Sequence, residues 1–447
     1  MSRRTRLDFL LVLVVSILVF LALSWRGEIA PVEPPKRFDA AQIERGANLA
    51  AIGDCVSCHT APEGKPYAGG FALRTMYGVL YGTNITPDPQ TGIGRWSQDA
   101  FVRAMREGVS RDGRHLYPAF PYDYFTRMTD DDLHALYAFI MTREPVSART
   151  PEHDLTFPFN IRLLLSGWKM LFLDRQVFAG DRSQSRDWNR GAYLSETIGH
   201  CGACHTPRNL LGAERKRRHF AGGQAEGWHA PALDASSRAP MPWTRESLFR
   251  YLSYGASERH EVAAGPMAAV VHNLGAANEQ DVRAIALYVA SIMGAPDEAR
   301  QKRAEDALAM ARENLGAADV SARSGQPEGG DDAAIEAGGE IYAGACALCH
   351  GSAERRPGAP SAEALHLALS TSVSLQSPGN LIRIIFQGIA PPDGEAGPFM
   401  PGFHGALTDE QVAALVVYLR AAYTDRPPWP HVGREVRRVR QQLARGH

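Results

Sequence analysis

"ERGANLAAIGDCVSCH", residues 44–59, decides how the rest of the chain is read. A helix-like run leads into Cys55 and Cys58, about one helical turn apart, with His59 directly behind them. The device returns in "NRGAYLSETIGHCGACH" (189–205), with Cys201, Cys204 and His205, and in "EAGGEIYAGACALCH" (336–350), with Cys346, Cys349 and His350. These are all 6 cysteines of the 447-residue chain. From Cys55 to Cys201 is 146 residues and from Cys201 to Cys346 is 145, an interval that suits one small domain plus a linker, repeated.

Six cysteines in an exported chain would suggest disulfides, but disulfides need no histidine behind each pair. With 15 His in 447 residues, chance seldom places one after every CxxC, and CxxCH is the attachment pattern of c-type haem. Each thiol can form a thioether to a haem vinyl group while the adjacent imidazole is aimed at the iron as proximal ligand. A structural zinc wants four ligands, which three pairs do not share evenly. A redox CxxC of the thioredoxin kind lacks its βαβ surroundings here. The expected cofactors are three covalently bound haems c, with Cys55, Cys58, Cys201, Cys204, Cys346 and Cys349 as tethers and His59, His205 and His350 on iron.

Each repeat also carries a middle and a closing helix. "WSQDAFVRAMREG", "WTRESLFRYLSYG" and "SPGNLIRIIFQG" read as N-capped helices stopped by Gly108, Gly255 and Gly388. The closing helices open at Thr129–Asp132, Asn278–Asp281 and Thr408–Gln411, and Tyr137, Tyr288 and Tyr418 fall at similar places in them as core residues. Twelve residues beyond the three glycines stand Phe120, Met267 and Met400. Met267 and Met400, in register in Pro-rich loops, are expected as distal ligands, and thioether ligation raises a haem's reduction potential. Phe120 has no lone pair to give iron, so the first haem must differ. Its sixth position is left to His115, ranked first, to Met76, Met105 or Met128, or to no residue.

The N-terminus has Arg3, Arg4 and Arg6 ahead of "FLLVLVVSILVFLALSW" (9–25), an uncharged run long enough to span a bilayer, with the remainder exported. Ala22-Leu23-Ser24 offers a cleavage site, but the length of the run and Trp25 favour an uncleaved anchor. The expected fold is all-α: three tandem class I cytochrome c domains after a membrane anchor helix. The boundaries are anchor or signal 1–28, domain one 38–145, apolar linker 146–183, domain two 184–296, linker 297–332, domain three 333–425 and basic tail 426–447. "PVEPPKR" and "SARSGQPEGGDD" read as spacers, and the second predicts a mobile third domain. "FPFNIRLLLSGWKMLFL" (157–173) reads as buried packing between domains, against a sharper alternative of a membrane-dipping or quinone-adjacent surface. Arg434, Arg437, Arg438, Arg440 and Arg445 suggest a solvated terminal helix. With 48 basic and 49 acidic residues there is no broad basic field for nucleic acid.

Along nearly all its exported length the chain resembles the triheme cytochrome c subunit of membrane-bound periplasmic dehydrogenases. The resemblance rests on "DCVSCHTAPEGKPYAGG", "YGTNITPDPQTGIGRWS", "DGRHLYPAFPY", "WNRGAYLSETIGHCGACHTPRNLLGA" and "AAGPMAAVVHNLG". It implies an electron-transfer subunit on the periplasmic side of the inner membrane. Electrons would come from a dehydrogenase catalytic subunit, with or without an iron-sulfur subunit, and pass to membrane ubiquinone or a terminal oxidase. Members paired with quinoprotein alcohol dehydrogenases typically show "LYPAMPY"; "LYPAFPY" is similar to members associated with molybdopterin-type dehydrogenases of aldehydes or N-heterocycles. A haem peroxidase or a ligand-sensing protein would need an open first haem. No catalytic constellation stands outside the haem sites.

Overall fold

Asp39 accepts the Gln42 backbone N–H at 3.1 Å and starts helix Ala40–Ile52, the lead helix of the first repeat. Its counterparts are Arg186–Glu196 and Asp332–Ala345. Each crosses a closing helix, Asp130–Met141, Glu279–Met293 or Asp409–Tyr423, at a glycine. A Cβ at Gly46 would fall on the Ala135 carbonyl oxygen and 2.7 Å from Phe139 Cβ. One at Gly191 would fall on the Ala284 carbonyl and 3.0 Å from Tyr288 Cβ, and one at Gly338 on the Ala414 carbonyl and 2.7 Å from Tyr418 Cβ. Only a missing side chain lets the two backbones approach this closely. The register also corrects one expectation: Phe139, not Tyr137, is in line with Tyr288 and Tyr418. Tyr137 is buried elsewhere in the same core and donates its hydroxyl to the Trp96 carbonyl at 2.8 Å.

The middle helices are Gln98–Glu107, Arg245–Tyr254 and Gly379–Gln387. Ser97 and Thr244 cap the first two with their side chains, whereas the third opens on Pro378 without a side-chain cap. Gly108 and Gly255 end theirs at φ 60° and 71°, the left-handed turn that favours glycine. The computed structural model describes residues 3–33, 37–257, 259–312, 332–351, 366–391 and 397–444. The Gly-rich spacer from which the sequence predicts a mobile third domain lies at 321–332, nearly all of it outside the described residues, as does part of "PVEPPKR".

The fold is predominantly helical, with two small antiparallel additions among the described residues. Ala72–Thr75, Gly78–Tyr81 and Asp154–Leu155 form one three-stranded sheet, and Gly223–Ala225 pairs with Trp228–Ala230. The chain divides into two compact units, one of residues Met1–Gly180 with Tyr193–His200 and one of Asp181–Ala192 with Cys201–His447. The second and third CxxCH segments both belong to the second unit. There the Glu261 carboxylate accepts from the Ser370 and Ser372 hydroxyls at 3.0 and 2.8 Å, and Asn380 bonds both backbone groups of His229.

Helix Arg3–Ser24 is 22 residues long, apolar on all sides beyond Asp8 and exposed except at half-buried Phe20 and buried Ser24, enough to cross a membrane at about 1.5 Å per residue. The stretch behind it is fastened to the first repeat. Ile29 N–H bonds the Arg111 carbonyl at 2.9 Å, Val32 N–H the Arg95 carbonyl at 3.1 Å, and Arg103 donates to the Gly27 carbonyl at 2.7 Å.

Two expectations about exposed segments change. The terminal helix Val432–Ala444 is docked, not solvated: Val432, Val436 and Val439 join the core of the third repeat, and Arg440 pairs with Asp409 at 2.5 Å. Arg434 and Arg437 share this helix, while Arg445 lies outside the described residues. Helix Leu164–Phe172 is inside out: Ser166 and Lys169 are buried, whereas Leu164, Met170 and Leu171 are exposed, Leu171 at 72%. Packing between domains does not describe this face.

Candidate functional site

Residues just ahead of two CxxCH segments bend the chain sharply. Asp54 has φ 50° and His200 φ 34°, each directly before the first cysteine of its pair. Asp and His are among the few side chains that tolerate this region, and the bend swings the lead helix into a one-turn helix bearing the cysteines. Those turns are Cys55–Cys58 and Gly202–His205, with Ala347–His350 in the third repeat. Cys58 and Cys349 are exposed, Cys55, Cys201, Cys204 and Cys346 are partly exposed, and none of the six is in a disulfide.

Behind the first pair, His59 Nδ1 lies 2.6 Å from the Thr83 carbonyl oxygen. Behind the second, His205 Nδ1 lies 2.7 Å from the Pro231 carbonyl. A carbonyl can only accept, so each Nδ1 carries the proton and each Nε2 keeps its lone pair, the arrangement a metal-bound histidine needs. Burial pushes both imidazoles below the usual histidine range, holding them neutral. Thr83 is itself fixed by its neighbour: Asn84 Nδ2 donates to the Val146 carbonyl at 2.7 Å, and Asn84 Oδ1 accepts from Thr86 N–H and hydroxyl at 2.9 and 2.7 Å. For His350, the Tyr342 hydroxyl bonds its carbonyl oxygen at 2.9 Å.

The donor set fits a covalently held haem. Two thiols one turn apart sit beside a neutral imidazole whose orientation a backbone carbonyl fixes. Glycine backbone also passes close under the first two pairs: a Cβ at Gly82 would strike the Cys58 carbonyl, and one at Gly223 those of Cys204 and Thr206.

The first two repeats form their distal loops with the same hydrogen bonds. Gly113 N–H reaches Ser110 and Leu116 N–H reaches Gly108, at 2.9 and 2.7 Å; His260 N–H reaches Ser257 and Ala263 N–H reaches Gly255, at 3.1 and 2.7 Å. The match covers residues 108–116 and 255–263; beyond it Phe120 lies just ahead of helix Tyr122–Phe125, whereas Met267 is within helix Pro266–Gly275. The third repeat closes differently, with Met400 itself bridging Ile389 through bonds of 2.7 and 2.9 Å. Met267 and Met400 are both partly exposed. Phe120 packs edge-on against Phe125 with ring centroids 5.3 Å apart.

His115, ranked first from the sequence as sixth ligand of the first haem, has both its ring nitrogens engaged in hydrogen bonds. Nε2–H donates to the Ser24 carbonyl at 2.8 Å, and Nδ1 accepts from Lys169 Nζ at 3.1 Å. Lys169 donates as well to the Gly108 carbonyl at 2.5 Å. Burial above all, then Arg175 and Arg26, pushes this lysine down to about 7. Of the other candidates, Met76 is 79% exposed on a hairpin turn, while Met105 and Met128 are buried.

A second pairing has no trace in the motif. Arg45 on the first lead helix meets Asp132 on its closing helix at 2.5 Å, and Arg190 meets Asp281 at 2.7 Å in the second repeat. The third repeat has Ala337 and Gln411 at those positions, and Gln411 caps the Thr408 N–H at 2.9 Å instead.

Comparison with known proteins agrees with this chemistry. Residues 43–144 match the model of the family described as cytochrome c, and residues 333–419 that of the cbb3-type cytochrome c oxidase subunit III. The chain is 45% identical over 426 residues to one of the nicotinate dehydrogenase subunits of Pseudomonas putida, covering 94% of this chain and 34% of that protein. It thus spans about a third of the length of that relative. It is 36% identical over 402 residues to the fructose dehydrogenase cytochrome subunit of Gluconobacter japonicus, covering 87% of this chain and 81% of the relative. To the cytochrome c subunit of alcohol dehydrogenase (quinone) of Gluconobacter oxydans it is 33% identical over 419 residues, covering 90% and 83%.

Proposed function

Because the chain belongs to the family of cytochrome c subunits of membrane-bound dehydrogenases, electron carriers rather than catalytic subunits, we propose that it holds three haems c in three tandem cytochrome c domains. The observation that carries the count is the recurrence of one helix crossing, at Gly46, Gly191 and Gly338, each ahead of a CxxCH segment. Cys55, Cys58, Cys201, Cys204, Cys346 and Cys349 are the tethers, and His59, His205 and His350 the proximal ligands. Met267 and Met400 are the distal ligands of the second and third haems. When bound, haem supplies a one-electron ferric/ferrous couple whose potential follows its axial ligands.

The protein's own contribution is positional. Thr83 and Pro231 hold imidazoles with Nδ1 protonated, and the glycine crossings set the lead helices that carry the thiols. Phe120 denies the first iron a thioether at the sequence register Met267 occupies in the second repeat, so the first potential lies below the other two. The favoured partner is a molybdopterin-type dehydrogenase of an aldehyde or N-heterocycle. The likeness to one of the nicotinate dehydrogenase subunits and the phenylalanine at position 120 support this reading. A quinoprotein alcohol dehydrogenase is the alternative. The acceptor is a membrane quinone, a reading supported by the name of one relative, with a terminal oxidase as the other outlet. Arg3–Ser24 anchors the chain on the periplasmic face of the inner membrane.

Intact mass and a haem stain of the denatured protein test the count. Three added porphyrins are expected, and two would refute the third site. Potentiometric titration tests the ligands, and three equal potentials would contradict a first haem without methionine.

A further inference from the structure

His59 and His205 each lean on a carbonyl, and the two repeats steady that carbonyl differently. In the first, Asn84 stands next to Thr83 and ties the segment to the Val146 carbonyl at 2.7 Å. In the second, Ala232 follows Pro231 and has no side-chain group to do the same. The support comes from the third repeat. Pro231 directly follows a hairpin whose strands, Gly223–Ala225 and Trp228–Ala230, are joined by Glu226 and Gly227 at φ 49° and 80°, the left-handed pair of a tight two-residue turn. With Ala225 opposite Trp228 across that turn, Gln224 and His229 form a pair that exchanges no backbone bonds, so the N–H and carbonyl of His229 point out at the open edge.

Asn380, on the middle helix of the third repeat, meets both groups. Its Oδ1 accepts the His229 N–H at 2.8 Å and its Nδ2 donates to the His229 carbonyl at 2.9 Å, as a further strand would. It is 8% exposed. Arg383, on the same helix, pins the turn by donating to the Gly227 carbonyl at 3.1 Å. The third repeat also grips the segment that leads to Met267. Glu261, six residues ahead of that methionine, accepts at Oε2 from the Ser370 hydroxyl at 3.0 Å, the Ser372 N–H at 3.0 Å and the Ser372 hydroxyl at 2.8 Å.

We propose that the third repeat sets the reduction potential of the second haem, with Asn380 as positioning residue behind His205 and Ser370 and Ser372 as positioning residues behind Met267. The assignment rests on the reading of His205 and Met267 as axial ligands and adds what tunes them. The two holds act in opposite directions. A bond from Nδ1–H to a fixed carbonyl makes the imidazole a stronger donor, which favours ferric iron and lowers the potential. A thioether on iron raises it. Loosening the hairpin should therefore raise the second potential, and loosening the Glu261 segment should lower it. Contacts that only glue two repeats together would produce no such split in sign.

The test is spectroelectrochemical titration of the full haem-loaded chain in its dehydrogenase complex, the second haem being the one whose wave Met267→Phe displaces. Asn380→Leu keeps the bulk of the amide without its two bonds and leaves Arg383 on the turn. It should lower the ferric/ferrous ratio at the unaltered midpoint about threefold, an upward shift of about 28 mV for one electron. Asn380→Ala should repeat the shift and stands in if the leucine variant does not fold. Ser370→Ala combined with Ser372→Ala leaves the Ser372 N–H and the Glu261 charge in place and should move the same potential down by a similar amount. The first and third potentials should stay where they are throughout. A second potential unmoved in the folded variants, or moved in the same direction by both kinds, overturns the proposal and leaves the axial ligands as read. If Met267→Phe displaced no wave, the reading of Met267 as a ligand would fall instead.

Discussion

Arg190 grips Asp281 with two parallel bonds, Nε to Oδ1 at 2.7 Å and Nη2 to Oδ2 at 2.8 Å, locking the lead helix of the second repeat to its closing helix. In the first repeat Arg45 Nε donates to Asp132 Oδ1 at 2.5 Å, and the Tyr193 hydroxyl donates to Asp132 Oδ2 at 2.5 Å. Asp132 is 1% exposed but Arg45 is 49% exposed, so solvent weakens that pair and its net contribution falls well short of a fully buried one.

Arg190→Ala should therefore lower stability by about 1–2 kcal/mol, since it removes a two-bond partner from a largely buried carboxylate. Adding Asp281→Gln converts the site to the solution used by the third repeat, Ala337 with Gln411, and should recover most of the loss. Denaturant unfolding of the single and double variants checks this; a double variant no better than the single one would contradict it.

Gly338→Ala should destabilise the third repeat by about 1–3 kcal/mol, because the methyl has only the Ala414 carbonyl and Tyr418 Cβ to move against. Limited proteolysis should then release a fragment bearing the third CxxCH before the others are touched. The same change at Gly46 should act on the first repeat.

With the three proposed haems, Phe120→Met should raise the lowest reduction potential and leave the other two in place, because position 120 stands twelve residues beyond Gly108 as Met267 stands twelve beyond Gly255. Met267→Phe should do the reverse to one of the higher potentials. Spectroelectrochemical titration reads both outcomes, and an unmoved lowest potential would mean that position 120 does not face the first iron.

His260 is buried and stacked on Trp243 at 3.5 Å, and its Nδ1 has no partner among the described residues. Burial pushes it down to about 3 from the ordinary 6.5. A folded value below the unfolded one means that its contribution is complete above pH 6.5 and is lost as pH falls from there toward 3. The loss is about 1.4 kcal/mol per pH unit. His260→Phe keeps a ring against Trp243 and should reduce the acid slope of unfolding free energy by one proton. An unchanged slope between pH 6 and 4 (about 2.8 kcal/mol of expected difference) would refute the assignment.

The haem sites and the helices around them were legible because their signals are local. A CxxCH segment, a Ser or Thr cap and a terminal glycine each act within one turn, and Ser97, Thr244, Gly108 and Gly255 do what their types suggest. Thr83 and Pro231 were not legible, since any residue offers a carbonyl and only folding brings these two to His59 and His205. Tyr137 misled because one aromatic resembles another until the crossing glycine fixes the register. Val432, Val436 and Val439 did repeat at helical spacing, but the arginines between them drew the reading toward solvent. His115 looked free because its partners lie on Ser24 and Lys169, far off in sequence.

The fastening of residues 24–32 to the first repeat limits how that repeat can sit on a bilayer. With Ser24 held by His115, Gly27 by Arg103 and Ile29 by Arg111, there is no free leash between Arg3–Ser24 and the body it precedes. If Arg3–Ser24 spans a membrane, a body moored this way keeps one altitude and one tilt over the lipid, with the same side of it looking down. Clipping the chain at Ala22–Ser24 would therefore cost more than attachment: it would set adrift the edge from which His115 takes its orientation.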